Sequence, residues 1–297
     1  MAIPEVIFYE KTHTYTHTPT DSKPISVTTL IKNYVPPFDR EFWLTYKMAQ
    51  KLLSPEIFHG LKDLYLFCNK SQLYREFVKR IPKSTLQAHM DLLDDDWEIT
   101  KDEGLGRGTR AHNIKEFNAY EKGFLKNHLD GKTYPTYYKP KLNYDNYFYE
   151  GLQYGIHPER LLHYRGIIAG TGDKIFCKRQ DRFAIGDYKT NKKLKSKSFD
   201  DERLLYPLNK LQNSDIGVYT VQLNLYARMM VEMGGVADGL YLLHIPTPKY
   251  KRKIEIPYLP DLIDLLIEDY VDKIEKKERK KPNHKKSQIQ QAGNLWD

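Results

Sequence analysis

Three consecutive segments with the twofold alternation of β-strands constrain the fold more than any other feature of this sequence. They cover residues 159–165, 167–178 and 182–188, and a short polar connection joins the last two. Connections this short join antiparallel neighbours, because parallel strands need a crossover of a dozen or more residues. The sequence therefore predicts an antiparallel meander in the middle of the chain.

Segments with helical spacing lie on both sides of this meander. Apolar residues recur every three or four positions from 39 to 97, and further helices are predicted at 109–122, 141–155, 216–233 and 260–278. Further strands are predicted near the start of the chain and at 239–245 and 250–256. The pattern indicates an α/β fold with a helical insertion.

The chain divides by pattern into four parts. These are an N-terminal strand and turn segment (1–38), a helical subdomain or arch (39–100), a core (101–278) and a basic tail (279–297). Glycines at 104, 106 and 108 precede the predicted helix 109–122, which Gly123 ends. They match a phosphate-binding loop poorly, because no Lys-Ser or Lys-Thr pair follows them.

Composition excludes several classes of protein. The 297 residues contain two cysteines, which cannot form a four-cysteine zinc site or an iron–sulfur cluster, so a metal would have to be held by oxygen and imidazole. No apolar run approaches the ~20 residues that cross a bilayer, and the first residues do not resemble a signal peptide. The net charge of +8 is weakly indicative of a polyanionic partner.

Three polar residues on two neighbouring predicted strands are the candidates for chemistry. Asp173 lies in GTGD, and Asp187 and Lys189 lie in GDYKT. Residues two apart on a strand point the same way, so Asp187 and Lys189 share a face. If the strands pair antiparallel, Asp173 comes within reach of Asp187, and two carboxylates form a hard-oxygen site suited to Mg²⁺ or Mn²⁺.

A divalent ion at this place could support phosphodiester cleavage. It can bind a phosphate oxygen, lower the pKa of its bound water and offset developing charge. Lys189 would position that water or stabilise the transition state. The alternative is a surface ion pair between Asp187 and Lys189 beside an unrelated Asp173 in a turn, and these residues alone leave both interpretations open.

Four motifs in order resemble the PD-(D/E)XK nucleases, within them the RecB-like exonuclease branch of phage and mitochondrial genome-maintenance enzymes. The motifs are GTRAHNIKE, GTGD, GDYKT and QLNLY. His112 stands at the histidine position of the first motif, and Gln222 and Tyr226 match a Gln-x-x-x-Tyr helix that borders the active site in the family. The second motif reads Gly-Asp where the family name implies Pro-Asp, as is common in this branch.

The resemblance implies a restriction-endonuclease-like core in 101–278, with a mixed central sheet that includes the antiparallel meander and is flanked by helices. It also implies a role for each matched residue. The implied catalytic residues are His112, Asp173, Asp187, Lys189, Gln222 and Tyr226. The implied metal ligands are His112, Asp173, Asp187 and the backbone carbonyl of Tyr188. The expected nucleic-acid contacts are Arg107, Arg110, Thr190, Lys192, Lys193 and Tyr226.

The expected function is that of a Mg²⁺-dependent (or Mn²⁺-dependent) deoxyribonuclease, an exonuclease acting on single-stranded DNA or free DNA ends. Its expected setting is phage recombination, replication or host-DNA degradation in the cytoplasm of a bacterial host, with no membrane partner. A helicase or a single-strand-binding protein is a candidate partner. Two alternatives remain: a structure-selective or restriction-like endonuclease, and a non-catalytic nucleic-acid-binding accessory subunit.

Overall fold

A computed structural model describes most of the chain. It covers residues 6–9, 11–12, 14–66, 69–127, 129–137, 154–178, 181–198, 201–247 and 250–279, without the side chains at 101, 105, 107, 109, 111–120 and 278. The chain forms two compact units, Met1–Tyr258 and Leu259–Asp297. No helix in the described ranges is long and apolar enough to cross a membrane.

Ten strands are described in the first unit. They are β1 (Val6–Tyr9), β2 (Thr14–His17), β3 (Ile25–Ser26), β4 (Phe124–Lys126), β5 (Thr133–Pro135), β6 (Gly155–Tyr164), β7 (Ile168–Cys177), β8 (Arg182–Lys189), β9 (Val236–Thr247) and β10 (Tyr250–Ile256). Strands β1 and β2 form one antiparallel hairpin, and β4 and β5 form another. The other six form the central sheet.

The central sheet is mixed, with β7 and β8 at its middle. Strands β6, β7 and β8 form the predicted antiparallel meander, and β10 pairs antiparallel with β9. Strand β9 is parallel to β8, and β3 is parallel to β7. The prediction of an α/β fold with a mixed sheet that includes an antiparallel meander is confirmed.

Strand β7 changes partner along one edge. Strand β6 follows its other edge for the full length, from Gly155 opposite Cys177 to Tyr164 opposite Ile168. On the edge away from β6, β8 pairs with residues 174–177 and β3 pairs with residues 168–169. The registers therefore leave residues 170–173 between two partners, and Asp173 lies where β8 separates from β7.

Within the described ranges, six helices belong to the first unit and one to the second. They are α1 (Val27–Lys32), α2 (Arg40–Leu52), α3 (Pro55–Tyr65), α4 (Lys70–Arg80), α5 (Lys83–Lys122), α6 (Asp215–Glu232) and, in the second unit, α7 (Pro260–Arg279). Helices α1 and α6 begin at serine caps, where Ser26 Oγ accepts from Thr29 N at 3.0 Å and Ser214 Oγ from Gly217 N at 3.1 Å. Helix α6 packs against β6, β8 and β9, so it covers the centre of the sheet.

Helices α2 to α4 and the start of α5 share a hydrophobic core. Phe58 and Phe77 stack with ring centroids 5.7 Å apart, and Tyr46 meets both rings edge-on. Leu73 and Ala49 are fully buried in the same cluster. The helical character predicted for 39–97 is thus confirmed.

Two helix predictions differ from the structure. Helix α5 runs through Gly104, Gly106 and Gly108 without interruption, so the predicted start at 109 is wrong, whereas the end at Gly123, with φ of 66°, is confirmed. None of the three internal glycines has a positive φ, and a long helix tolerates such residues at a modest cost. Most of the predicted helix 141–155 lies outside the described residues, and Gly155 begins a strand.

The predicted division into four parts stays a prediction. The proposed boundary between 100 and 101 lies inside α5, and the tail beyond 279 lies outside the described residues.

Candidate active site

A buried ion pair lies at the end of β8. Asp187 and Lys189 are two residues apart on the strand, and Lys189 Nζ lies 2.6 Å from Asp187 Oδ2. The side chain of Asp187 is 2% exposed and that of Lys189 is 15% exposed, so the pair is not the surface ion pair of the alternative interpretation. Oδ2 is fully buried, and the Lys189 ammonium group is its close partner.

Asp173 reaches the same place from the point where β7 and β8 separate. The last pair of the β7–β8 ladder joins Lys174 and Gly186, so Asp173 and Asp187 are the next residues on each strand. The Tyr188 amide donates to Asp173 Oδ2 at 2.9 Å. Because N–H and C=O of a strand residue point to the same edge, the Tyr188 carbonyl also faces the β7 side. The antiparallel pairing thus places Asp173 and Asp187 side by side where the two strands separate.

Helix α6 adds an amide and a hydroxyl group to the site. Lys189 Nζ donates to Gln222 Oε1 at 3.4 Å, and Gln222 Nε2 donates to the Tyr226 hydroxyl at 3.2 Å. These bonds form a continuous polar chain from Asp187 through Lys189 and Gln222 to Tyr226. The predicted Gln-x-x-x-Tyr pair therefore lies at the site, one helical turn apart on a shared face.

Glycine at 170 permits the close approach of Tyr226 to β7. A Cβ atom at Gly170 would lie 2.7 Å from Tyr226 Cε1 and 3.0 Å from Val27 Cγ2, and both contacts are too short. Any larger residue would push the tyrosine ring away from the strand. Burial raises the pKa of Tyr226 well above its ordinary value, so its hydroxyl stays protonated.

The charge of Lys189 is stabilised from several directions. Burial works against it, but the carboxylates of Asp187 and Asp173 outweigh burial and raise the pKa of Lys189. Its ammonium group also lies over the ring of Tyr219, 4.1 Å from the centroid, in a cation–π contact. Lys189 is therefore a fixed positive charge beside two carboxylates.

Three residues that sequence reasoning missed hold the strand end in place. The Tyr219 hydroxyl donates to Asn191 Oδ1 at 3.4 Å, and His244 Nε2 lies 2.7 Å from the Asn191 carbonyl oxygen. Tyr219 could have been found, because it precedes Gln222 by three residues on one helix. His244 could not, because only the parallel register of β8 and β9 places it opposite Lys189.

Helix α5 passes close to the end of β8. A Cβ atom at Gly108 would lie 3.8 Å from Thr190 Oγ1, which is an ordinary contact distance. Position 112 follows one helical turn further along α5. The side chains of His112 and Arg107 lie outside the described residues, so their predicted roles stay predictions.

The other predicted nucleic-acid contacts differ in exposure. Arg110, Lys192 and Lys193 are exposed, and Thr190 is half-buried. Tyr226 is buried, so the structure does not favour its predicted contact with DNA. Its hydroxyl accepts a hydrogen bond from Gln222, which is consistent with a role in positioning that residue.

The described donor atoms suit a hard divalent cation but do not complete its ligand set. Asp173 and Asp187 supply carboxylate oxygens, and a cation at the buried Asp187 Oδ2 would share that oxygen with the Lys189 ammonium group. Within the described part of the chain, no third His, Cys, Asp or Glu joins them in a group that could hold a metal. A third protein ligand would have to come from a carbonyl such as that of Tyr188, or from a side chain outside the described set.

Comparisons with protein-family models, with curated proteins and with solved structures returned no match for this chain.

Proposed function

We propose that this chain is a metal-dependent nuclease of the PD-(D/E)XK type that hydrolyses DNA phosphodiester bonds, and that it acts as an exonuclease on single-stranded DNA or free ends. One observation carries the proposal: Asp187 and Lys189 are buried together where β7 and β8 separate, beside Asp173. Burial of this charged group is costly for folding, and a structural role alone gives no reason for two carboxylates around one lysine.

In this proposal Asp173, Asp187 and the Tyr188 carbonyl hold Mg²⁺ or Mn²⁺, with His112 as a further ligand. Such an ion, when bound, supplies a more acidic water and offsets negative charge on the phosphate. The restriction-endonuclease-like core belongs to the same proposal, and the helix–strand order around the meander supports it.

The residues of the chain itself have separate tasks. Lys189 presents a fixed ammonium group to the attacking water or to a phosphate oxygen, since Asp187 and the Tyr219 ring hold it from two sides. Gln222 restrains Lys189 by accepting its hydrogen bond, and Tyr226 restrains Gln222. Arg110, Lys192 and Lys193 are exposed cations that can bind the phosphate backbone.

Cleavage of end-labelled linear single-stranded DNA, compared with a closed circle of similar sequence, tests the proposal. We expect loss of the linear strand in Mg²⁺, no loss in EDTA, and no loss with Asp187→Asn, which keeps the side-chain volume. Asp63→Asn on α3 is the matched control, because Asp63 is exposed. Circular dichroism would verify that both variants fold.

The same assay separates the alternatives. Cleavage of both substrates would favour an endonuclease. DNA binding without cleavage in Mg²⁺ or Mn²⁺ would overturn the nuclease proposal and favour an accessory subunit. Full activity of Asp187→Asn would show that the reaction occurs elsewhere on the chain.

A further inference from the structure

The described part of the connection between β8 and α6, residues 190–198 and 201–214, is held by internal hydrogen bonds although the connection is long. Leu204 and Leu208 are buried, Leu204 N donates to the Leu211 carbonyl at 3.1 Å, and Arg203 and Gln212 form a β-bridge. Further back, Lys195 N donates to Asp215 Oδ2 at 2.8 Å, so the connection is also tied to the start of α6. We call residues 190–214 the β8–α6 loop.

The tip of this loop presents an aromatic side chain to solvent. Tyr206 is 67% exposed and Leu205 is 44% exposed, although the flanking Leu204 and Leu208 are buried. Leu205 N donates to the Tyr34 carbonyl at 2.8 Å, which fixes the tip to the segment after α1. A loop that is held by these hydrogen bonds and exposes a tyrosine between two buried leucines offers a surface for stacking.

The β8–α6 loop also carries a concentration of exposed positive charge. Its exposed lysines are Lys192, Lys193, Lys195, Lys197 and Lys210. The acidic residues described in the loop take part in its internal bonds: Asp201 accepts from Gln212, and Glu202 accepts from Asn213. The loop therefore presents ammonium groups to solvent and uses carboxylates to hold its shape.

Helix α1 connects the loop tip to the candidate active site. Val27, at the first position of α1, contacts the Gly170 position beside Tyr226, and Tyr34, just after α1, accepts from Leu205. With a rise of 1.5 Å per residue, these two positions are about 10 Å apart along the helix direction. The point where the loop tip is attached is therefore about two helical turns from the place where Val27 approaches Gly170 and Tyr226.

We propose that the β8–α6 loop binds single-stranded DNA, with Tyr206 stacking on an unpaired base and the lysines contacting phosphates. The choice of DNA as the ligand rests on the proposed function. Exposed aromatic residues beside exposed cations are the combination that binds single strands, because every unpaired base offers a face for stacking. A duplex keeps its bases stacked on each other, so the ring of Tyr206 gives selectivity for single strands.

Fluorescence anisotropy with a labelled single strand of about 16 nucleotides tests this proposal in EDTA, where no metal-dependent cleavage occurs. Loss of one stacked base costs about 5- to 150-fold in Kd, so Tyr206→Ala should weaken binding by that factor. Tyr206→Phe keeps the ring and should bind within about twofold of the unaltered chain. Phe124→Ala, which removes a 52% exposed ring on β4, is the matched control and should leave Kd unchanged.

A blunt duplex of the same length serves as the second ligand. We expect Tyr206→Ala to leave duplex binding unchanged, and Lys192→Ala with Lys193→Ala to reduce the salt dependence of single-strand binding by about 1.4 in the log–log slope. Equal losses on both ligands, or no loss on the single strand, would overturn the stacking role of Tyr206.

These experiments test the nuclease proposal and the β8–α6 loop proposal separately. If the unaltered chain cuts no DNA but binds single strands through Tyr206, the nuclease proposal fails and this one stands. If the chain cuts DNA and Tyr206→Ala binds single strands normally, the β8–α6 loop proposal fails alone.

Discussion

Asp187 is more deeply buried than Asp173 and Lys189, the other two charged residues of the candidate site. Its side chain is almost fully withdrawn from water, and the removal of a carboxylate from water costs several kcal/mol unless a cation and hydrogen bonds offset it. Lys189 supplies the cation, and Asp173 adds a second negative charge close by. The balance at this site therefore depends on one ammonium group.

Replacement of that ammonium group should destabilise the fold in a metal-dependent way. Lys189→Met keeps much of the side-chain length but leaves the carboxylates without compensation, so we expect the free energy of unfolding to fall by about 3–5 kcal/mol in EDTA. Urea denaturation, monitored by circular dichroism, measures this free energy of unfolding. Mg²⁺ should restore part of the loss, because a bound cation replaces the missing charge.

The double variant Asp187→Asn with Lys189→Met is the control for that experiment. It removes one carboxylate together with the lysine, so it should be more stable than Lys189→Met alone. A single variant as stable as the unaltered chain would contradict the charge balance inferred for Asp187.

Cys177 should be unreactive in the native protein. Burial raises the pKa of its thiol to about 12, against a smaller opposing influence of Arg160. The reactive thiolate is then about a thousandfold scarcer at pH 8 than in an unperturbed cysteine. In a Cys68→Ser background, we expect slow alkylation by iodoacetamide that rises with pH and becomes rapid after denaturation in urea. Rapid alkylation of the native chain at pH 8, read by mass spectrometry, would contradict this.

At the scale of elements, helix α5 shows where sequence reasoning fails. Three glycines within five residues predict a break, because glycine has weak helical propensity and marks many turns. In the structure the 40-residue helix continues through them, since intrinsic propensity is a weak preference that the hydrogen bonds and packing of neighbouring turns can override.

Two glycine substitutions in and after α5 should have opposite effects. Gly104 has helical backbone, and among the described atoms outside its chain neighbours and the helix's own backbone none lies within 4 Å of the position that an added Cβ would take. Gly104→Ala should therefore raise the free energy of unfolding by about 0.5–1 kcal/mol. Gly123 has φ of 66°, and its Cβ position is as open as that of Gly104. Gly123→Ala should therefore lower the free energy of unfolding by about 1 kcal/mol through backbone strain. Thermal or urea denaturation would measure both. Destabilisation by Gly104→Ala would show that α5 is interrupted there.

The strands and the core of the site were more predictable than α5. Twofold alternation and short connections determine the meander, and antiparallel pairing then brings Asp173 towards Asp187, as expected. Two features needed three-dimensional information. The point where β8 leaves β7 depends on β3 taking over the edge, and His244 meets Lys189 only through the β8–β9 register. Both are pairings between segments far apart in sequence, and local patterns do not encode them.

At the scale of the whole molecule, two hydrophobic regions lie within one compact unit. One surrounds the central sheet and α6, and the other fills the helical cluster of α2 to α5. Because both lie within Met1–Tyr258, we expect them to unfold together.

A core substitution in the helical cluster tests that cooperativity. Phe77 is fully buried, so Phe77→Ala should lower the free energy of unfolding by about 3–5 kcal/mol. Leu64→Ala, at a 65% exposed position on α3, should change it by less than about 0.5 kcal/mol. Circular dichroism and hydrogen exchange at β7 amides should report the same transition. Separate transitions would show that the helical cluster folds independently of the sheet.

The continuity of α5 has a mechanical consequence. Its first turns pack in the helical cluster, where Leu86 is buried, and Gly108 lies beside Thr190 at the end of β8. These points are 22 residues apart, or about 33 Å along a straight helix. Each degree of tilt at one end would move the other by about 0.6 Å if the helix stayed rigid. A small tilt of α5 at the helical cluster would thus displace the part of α5 beside the end of β8. The displacement would be comparable to the tolerance of a hydrogen bond.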